Sequence, residues 1–291
     1  MQPRVGTEVG EEATEGSGGH ASNRLTVALR TAVRRSVGDA AFGPDGRLHD
    51  WRRALMPTYT TNGFVLPDGL DHARLRRAEG GSAVALNSFL PWLPRSQLLC
   101  LCSLKGFHEL RLHARCPAGM RGTPPRLDLI AWRKAEVVAV TAKGTDYLKA
   151  PDSKRARSAR IEAAAVFAPW LLQLDRLRDE PGVFRHVDLH ALVKLAIGVG
   201  STFPQHKATL LYLFWEGDDG ATHDVCRRHR QELEALCEAV TESGVRLHFL
   251  SFAELWQGWL DEVKDAWLRD AVKALRRRYG LAAAPSNAPP S

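Results

Sequence analysis

Long apolar runs are missing from this chain: nowhere do the ~18 to 20 consecutive apolar residues needed to cross a bilayer occur. The expectation is therefore no membrane partner. A secretory leader is missing too, because the first twenty residues are acidic, glycine-rich and poor in large apolar side chains. A cytoplasmic location follows as the expectation. Cysteine is sparse and unfavourably spaced: Cys100, Cys102, Cys116, Cys226 and Cys237 are odd in number and form no CxxC pair. That speaks against a disulfide framework and against a structural zinc site, and predicts reduced, mostly buried thiols. The eleven histidines contain no HExxH pair. No internal repeat and no long linker divides the chain.

What is present is an ordinary globular composition, 44% hydrophobic and 25% charged over 291 residues. The formal net charge of +7 favours contact with polyanions. Residues 1–22 and 281–291 are low in large apolar side chains, so burial cannot repay their ordering entropy, and both are expected to be mobile tails. Between them, one domain spanning 23–280 with a helical N-terminal extension is the economical reading.

Ser22 or Asn23 is placed to cap a helix over "RLTVALRTAVRRSV". A second helix is predicted over about Gly81 to Leu90, stopped by Pro91. The period then changes to two in "HELRLHAR", a strand with one wet face, and "RLDLIAW" and "EVVAVTA" follow as short β-rich runs. Ser153 to about Leu177 reads as a helix that Pro169 should kink or divide. A helix over "VDLHALVKLAIGVG", a buried strand in "ATLLYLFWE", a helix from His223, a strand in "VRLHFLSF" and a helical C-terminal segment complete the order. This succession predicts an α/β fold, a central mixed sheet flanked by helices. Trp256, Trp259 and Trp267 fall near helical spacing and are expected to pack rather than to stack on bases.

Phosphodiester hydrolysis needs a divalent metal to offset phosphate charge and to generate hydroxide, and hard oxygen ligands hold such a metal. Two carboxylates on neighbouring strands plus a lysine would supply this. Asp128 in "PPRLDLIA" and Lys143 in "VVAVTAK" take two of the three roles. Positions 141 and 143 share a face of their strand, so the third group should be residue 141, which is Thr141. Read without any family, Asp128 is better taken as a solvated strand residue and Lys143 as an edge-blunting lysine.

The stretch "TPPRLDLIAWRKAEVVAVTAKGTDYL" resembles the active-site hairpin of PD-(D/E)XK nucleases, and in particular a group of restriction-endonuclease-like bacterial proteins in that superfamily. Similarity in "ALNSFLPWL", "GFHELRLHARCPAGMRGTPP", "ATLLYLFWE" and "GVRLHFLSFAELWQGWL" extends it over about Glu79 to Leu260. The resemblance implies a restriction-endonuclease-like core, Asp128 as metal ligand, Lys143 as the lysine closing the motif, and Mg2+ or Mn2+ as cofactor. The family pattern has Glu, less often Asp or Gln, where this chain has Thr141; a hydroxyl brings no charge, so metal affinity and activation of bound water should both weaken. Glu136 cannot substitute, since it points to the opposite face roughly 17 Å along the strand. Asp146, just past the strand, and Glu79 are the candidate replacement ligands, with Glu109 also within the family's reach.

DNA is the expected partner. Arg121 and Arg126 flank the turn before Asp128, and Lys154, Arg155, Arg157 and Arg160 form a basic run whose position at a helix start opposes the helix dipole. Turn solubility and a solvated helix end explain these cations as well. His186 and His190 read as surface residues. Two functions remain open: a metal-dependent DNA endonuclease of restriction or defence type, possible as a homodimer, or a nuclease-fold protein without catalysis that binds nucleic acid or a partner protein.

Overall fold

The computed structural model describes residues 15–61, 66, 69–116, 124–149 and 164–282. Of the expected tails, residues 1–14 and 283–291 lie outside the described residues, as do Arg121, Lys154, Arg155, Arg157 and Arg160, whereas residues 15–22 are helical and Leu281 is buried.

Five strands form one mixed sheet in the order β1-β2-β3-β4-β5. They are β1 (Glu109–Leu112), β2 (Leu129–Arg133), β3 (Glu136–Lys143), β4 (Lys207–Phe214) and β5 (Val245–Ser251). The first three pair antiparallel, and β3, β4 and β5 pair parallel. Ala139 and Val140 on β3 and Leu210 to Phe214 on β4 are all buried, as befits interior strands covered on both faces. At one edge β1 keeps the wet face its alternation predicts, although the ladder stops at Leu112 because His113 turns into left-handed backbone, φ 53°.

Nine α-helices are described: α1 (Glu15–Val37), α2 (Pro57–Thr61), α3 (His72–Leu75), α4 (Gly81–Phe89), α5 (Ala168–Asp179), α6 (Leu189–Thr202), α7 (Asp224–Ala239), α8 (Phe252–Glu262) and α9 (Ala266–Arg278). α1 starts at Glu15 rather than at the expected Ser22 or Asn23 cap, because extending an existing helix avoids a new nucleation step. Of the helix expected from Ser153 to about Leu177, residues 153–163 lie outside the described residues; beyond them a 3-10 turn, Ala165–Phe167, leads into α5 at Ala168. Pro169 sits in its first turn, where a missing N–H removes no bond, so proline opens the helix rather than kinking it. The C-terminal segment is two helices, parted at Val263, whose extended backbone (φ -124°, ψ 114°) ends α8.

α4 is buried on every side and packs on β3; α6 packs on β4 and β5, and α7 and α8 on β5. Tryptophans tie the layers together. Trp256 Nε1 donates to Ser88 Oγ at 3.0 Å, Trp259 Nε1 to the Cys100 carbonyl at 3.0 Å, and Trp215 Nε1 to the Tyr279 carbonyl at 3.0 Å. Trp92 meets Trp259 and Trp267 edge to face. The three C-terminal tryptophans therefore pack, as expected. All five thiols are free, and Cys116 and Cys226 are buried.

Candidate nucleic-acid and phosphate site

The β2–β3 hairpin pairs Leu129 with Val140, which sets Asp128 beside Thr141 one step before β2 begins. Asp128 N donates to the Val140 carbonyl at 2.8 Å, continuing the ladder. Its carboxylate turns inward instead of towards solvent. Ser82 Oγ donates to Oδ1 at 2.6 Å and the Ala142 amide donates to Oδ2 at 2.7 Å, and the residue is 2% exposed. Charge-assisted bonds of this length are the strong kind, and they join the first turn of α4 to the end of β3. Thr141 is 6% exposed and lies opposite Tyr212 of β4.

Two glycines allow this approach. A Cβ on Gly81 would overlap the Ala142 carbonyl group and the Lys143 amide, and one on Gly144 would overlap the Glu79 carbonyl oxygen. No larger residue fits at either position without moving backbone.

Lys143 closes β3 and lines a pocket of about 140 Å³ with Asp146, Tyr147, Lys149, His186, Asp188 and Tyr212. Each wall is held locally. Asp146 opens a short 3-10 turn, Asp146–Leu148, in which the Tyr147 hydroxyl donates to the Trp215 carbonyl at 3.0 Å. Asp188 caps α6 by accepting from the Ala191 amide at 3.0 Å. Glu232 of α7 accepts from three successive amides, Arg185 and His186 at 2.8 Å and Val187 at 3.0 Å, and so fixes the loop that carries His186. His186 Nδ1 lies 3.2 Å from the Tyr147 carbonyl oxygen; only a protonated Nδ1 can bond there, because a carbonyl donates nothing.

Behind the pocket, His229 stacks on Tyr147 at 4.0 Å and meets the Tyr212 hydroxyl at 3.2 Å. Burial, and then the charges of His186, Arg230 and Lys143, push the His229 imidazole down to about 3, so it is neutral. Burial raises the Tyr212 hydroxyl, and the nearby Asp188, Asp146 and Glu232 carboxylates raise it further, so the phenol keeps its proton.

The expected metal ligands do not converge. Asp146 is 60% exposed at its side chain and 3.9 Å from Arg77; Glu79 pairs with Arg30 at 3.5 Å; Glu109 pairs with Arg111 at 2.7 Å. Among the described residues no three His, Cys, Asp or Glu side chains are grouped to hold a metal ion. A divalent ion of the Mg2+ class takes about six oxygens in near-octahedral array, several of them waters, and needs one or two carboxylates with a free oxygen to hold it. Here the hairpin offers one enclosed carboxylate, both of whose oxygens already accept hydrogen bonds, and one neutral hydroxyl. This donor set does not fit the ion. Arg126 is also engaged, donating to the Gly69 carbonyl at 2.9 Å with Asp71 at 3.9 Å.

Lys143 and Asp146 thus share a pocket, whereas Asp128 and Glu79 stand apart from it. Sequence reasoning missed Lys149, His186, Asp188 and Tyr212. Tyr212 carried a readable signal, as the one hydroxyl-bearing aromatic in the otherwise apolar "LLYLFW"; the half-buried His186 carried none, since the carboxylate that fixes its loop lies 46 residues away. In comparison with known proteins, the chain matches no protein-family model, no curated protein and no solved structure.

Proposed function

We propose that this chain is a nuclease-fold protein of PD-(D/E)XK type that binds the phosphodiester backbone of DNA at the carboxyl end of β3 without hydrolysing it through a divalent metal. One observation carries the reading. Lys143 stands with Lys149 in an open pocket that Asp146 and Asp188 also line, while the Asp128 carboxylate is enclosed and hydrogen-bonded at both oxygens. The cationic half of the motif can reach a phosphate, and the acidic half is built into the fold. Phosphate contacts of this kind supply most non-specific affinity and make it salt-dependent. Lys149 also leads along the sequence into Lys154, Arg155, Arg157 and Arg160.

A second reading, a Mg2+- or Mn2+-dependent endonuclease, draws support from the register that sets Asp128 beside Thr141, two residues before Lys143. Incubation with supercoiled plasmid in Mg2+ or Mn2+ separates the two. Intact plasmid, together with salt-sensitive retention that weakens in Lys143→Ala, supports binding without cleavage. Nicking that disappears in both Asp128→Ala and Lys143→Ala overturns it.

A further inference from the structure

A second concavity of about 500 Å³ lies on the other side of the loop that carries His186. Three arginines line it: Arg176 of α5, Arg185 of the loop and Arg228 of α7. On α7, Arg228, Gln231, Glu232 and Ala235 recur at positions i, i+3, i+4 and i+7, so one helix face forms the floor. Arg176 has Glu180 within 3.6 Å, but among the described residues neither Arg185 nor Arg228 has an ion-pair partner. The acid in the groove, Glu232, has its charge met by the amides of Arg185, His186 and Val187. A groove with two unpaired guanidiniums and a carboxylate already held by three amides leaves its arginines open to an anion, and planar guanidinium is the side chain best matched to phosphate.

The same three amide bonds hold Arg185 on the groove side and His186 on the pocket side, adjacent in sequence. We infer that the groove between α5 and α7 is a second phosphate-binding station, continuous with the Lys143 pocket through the pinned loop, and that it receives the flanking backbone of the same nucleic-acid strand. The inference rests on the proposed DNA binding, and deepens it by giving the strand a direction across the molecule. Charge complementarity names the occupant, a polyanion with regularly repeated phosphates.

Binding of a fluorescein-labelled oligonucleotide, single-stranded and duplex, to the full chain is followed by anisotropy at several salt concentrations. Each phosphate contact contributes about -0.7 (single strand) to -0.9 (duplex) to the slope of log affinity against log salt. Arg185→Ala with Arg228→Ala is expected to lower affinity about tenfold or more and to reduce the slope by roughly one to two. Both side chains are exposed, so unchanged circular dichroism and melting temperature are expected alongside. Arg228→Lys should keep the slope and lose only part of the affinity.

Affinity that falls in Lys143→Ala but not in the arginine pair overturns the groove and leaves the proposed DNA binding standing. If neither variant changes binding, both fall. Displacement of the arginine-dependent signal by poly-glutamate, with no response to either oligonucleotide, assigns the groove to an acidic peptide and overturns the inference.

Discussion

At the scale of single residues, Asp128 is where chemistry and architecture part. A carboxylate waiting for a metal ordinarily sits among other acids, and its removal relieves repulsion, which is one source of the trade-off between stability and activity. Asp128 instead accepts from Ser82 and from the Ala142 amide, and truncation would leave both donors buried and unpaired. Asp128→Ala is expected to destabilise the metal-free protein by about 3 kcal/mol, read from urea unfolding in chelator. Stabilisation by the same substitution would mark a metal ligand. His229 makes a second residue-scale test. The unfolded chain takes up a proton there below pH 6.5, whereas the folded chain refuses it until about 3. Stability is therefore full above pH 6.5 and declines as pH falls towards 3, by about 1.4 kcal/mol per unit from this group. His113 and His248, both held down first by burial, act in the same direction. His229→Gln should flatten part of that slope in denaturation midpoints measured from pH 7 to 4.

At the scale of elements, the seam between α4 and β3 decides whether the site exists. Gly81 and Gly144 let the start of the helix and the end of the strand touch backbone to backbone. Gly81→Ala forces them apart and is expected to cost about 3 kcal/mol or more, since overpacking against main chain finds no rotamer to yield. A second determinant is the start of α8, where Ser251 Oγ accepts from the Glu254 amide at 3.2 Å and the Glu254 carboxylate accepts from the Ser251 amide at 2.6 Å. Burial alone would raise the Glu254 carboxyl, but bonds from Arg230 and Ser251 outweigh it and hold the group below its ordinary range. Ser251→Ala should therefore lower stability by about 1 kcal/mol in thermal or urea unfolding.

For the whole molecule, the net charge of +7 and the two pocket lysines, Lys143 and Lys149, are the features behind the proposed binding, which needs no divalent ion. A specific Mg2+ site filled to a hundred times its dissociation constant would stabilise the fold by about 2.7 kcal/mol. Addition of about 10 mM Mg2+ is expected to move the melting temperature little, and chelator should leave DNA affinity intact. The order of strands and helices, the buried β3 and β4, and the packing role of Trp256 and Trp259 were all legible in the sequence, because hydrophobic period reports directly which faces leave water. The boundaries that were misread, at Glu15 and Val263, lie where local preference is weak and neighbouring packing chooses.

The sequence by itself determined that β3 would be an interior strand ending in Lys143, and that Thr141 would bring no charge to its neighbour. Both follow from side-chain type and a period of two, which need no knowledge of the rest of the chain. Only the tertiary structure decided what Asp128 does, because its partners, Ser82 and Ala142, lie 46 and 14 residues away. The same holds for the pocket, whose His186, Asp188 and Tyr212 reach Lys143 through the return of the chain into β4 and the three amides gathered on Glu232. A carboxylate's role is set by which donors surround it, and long-range folding alone brings those donors together.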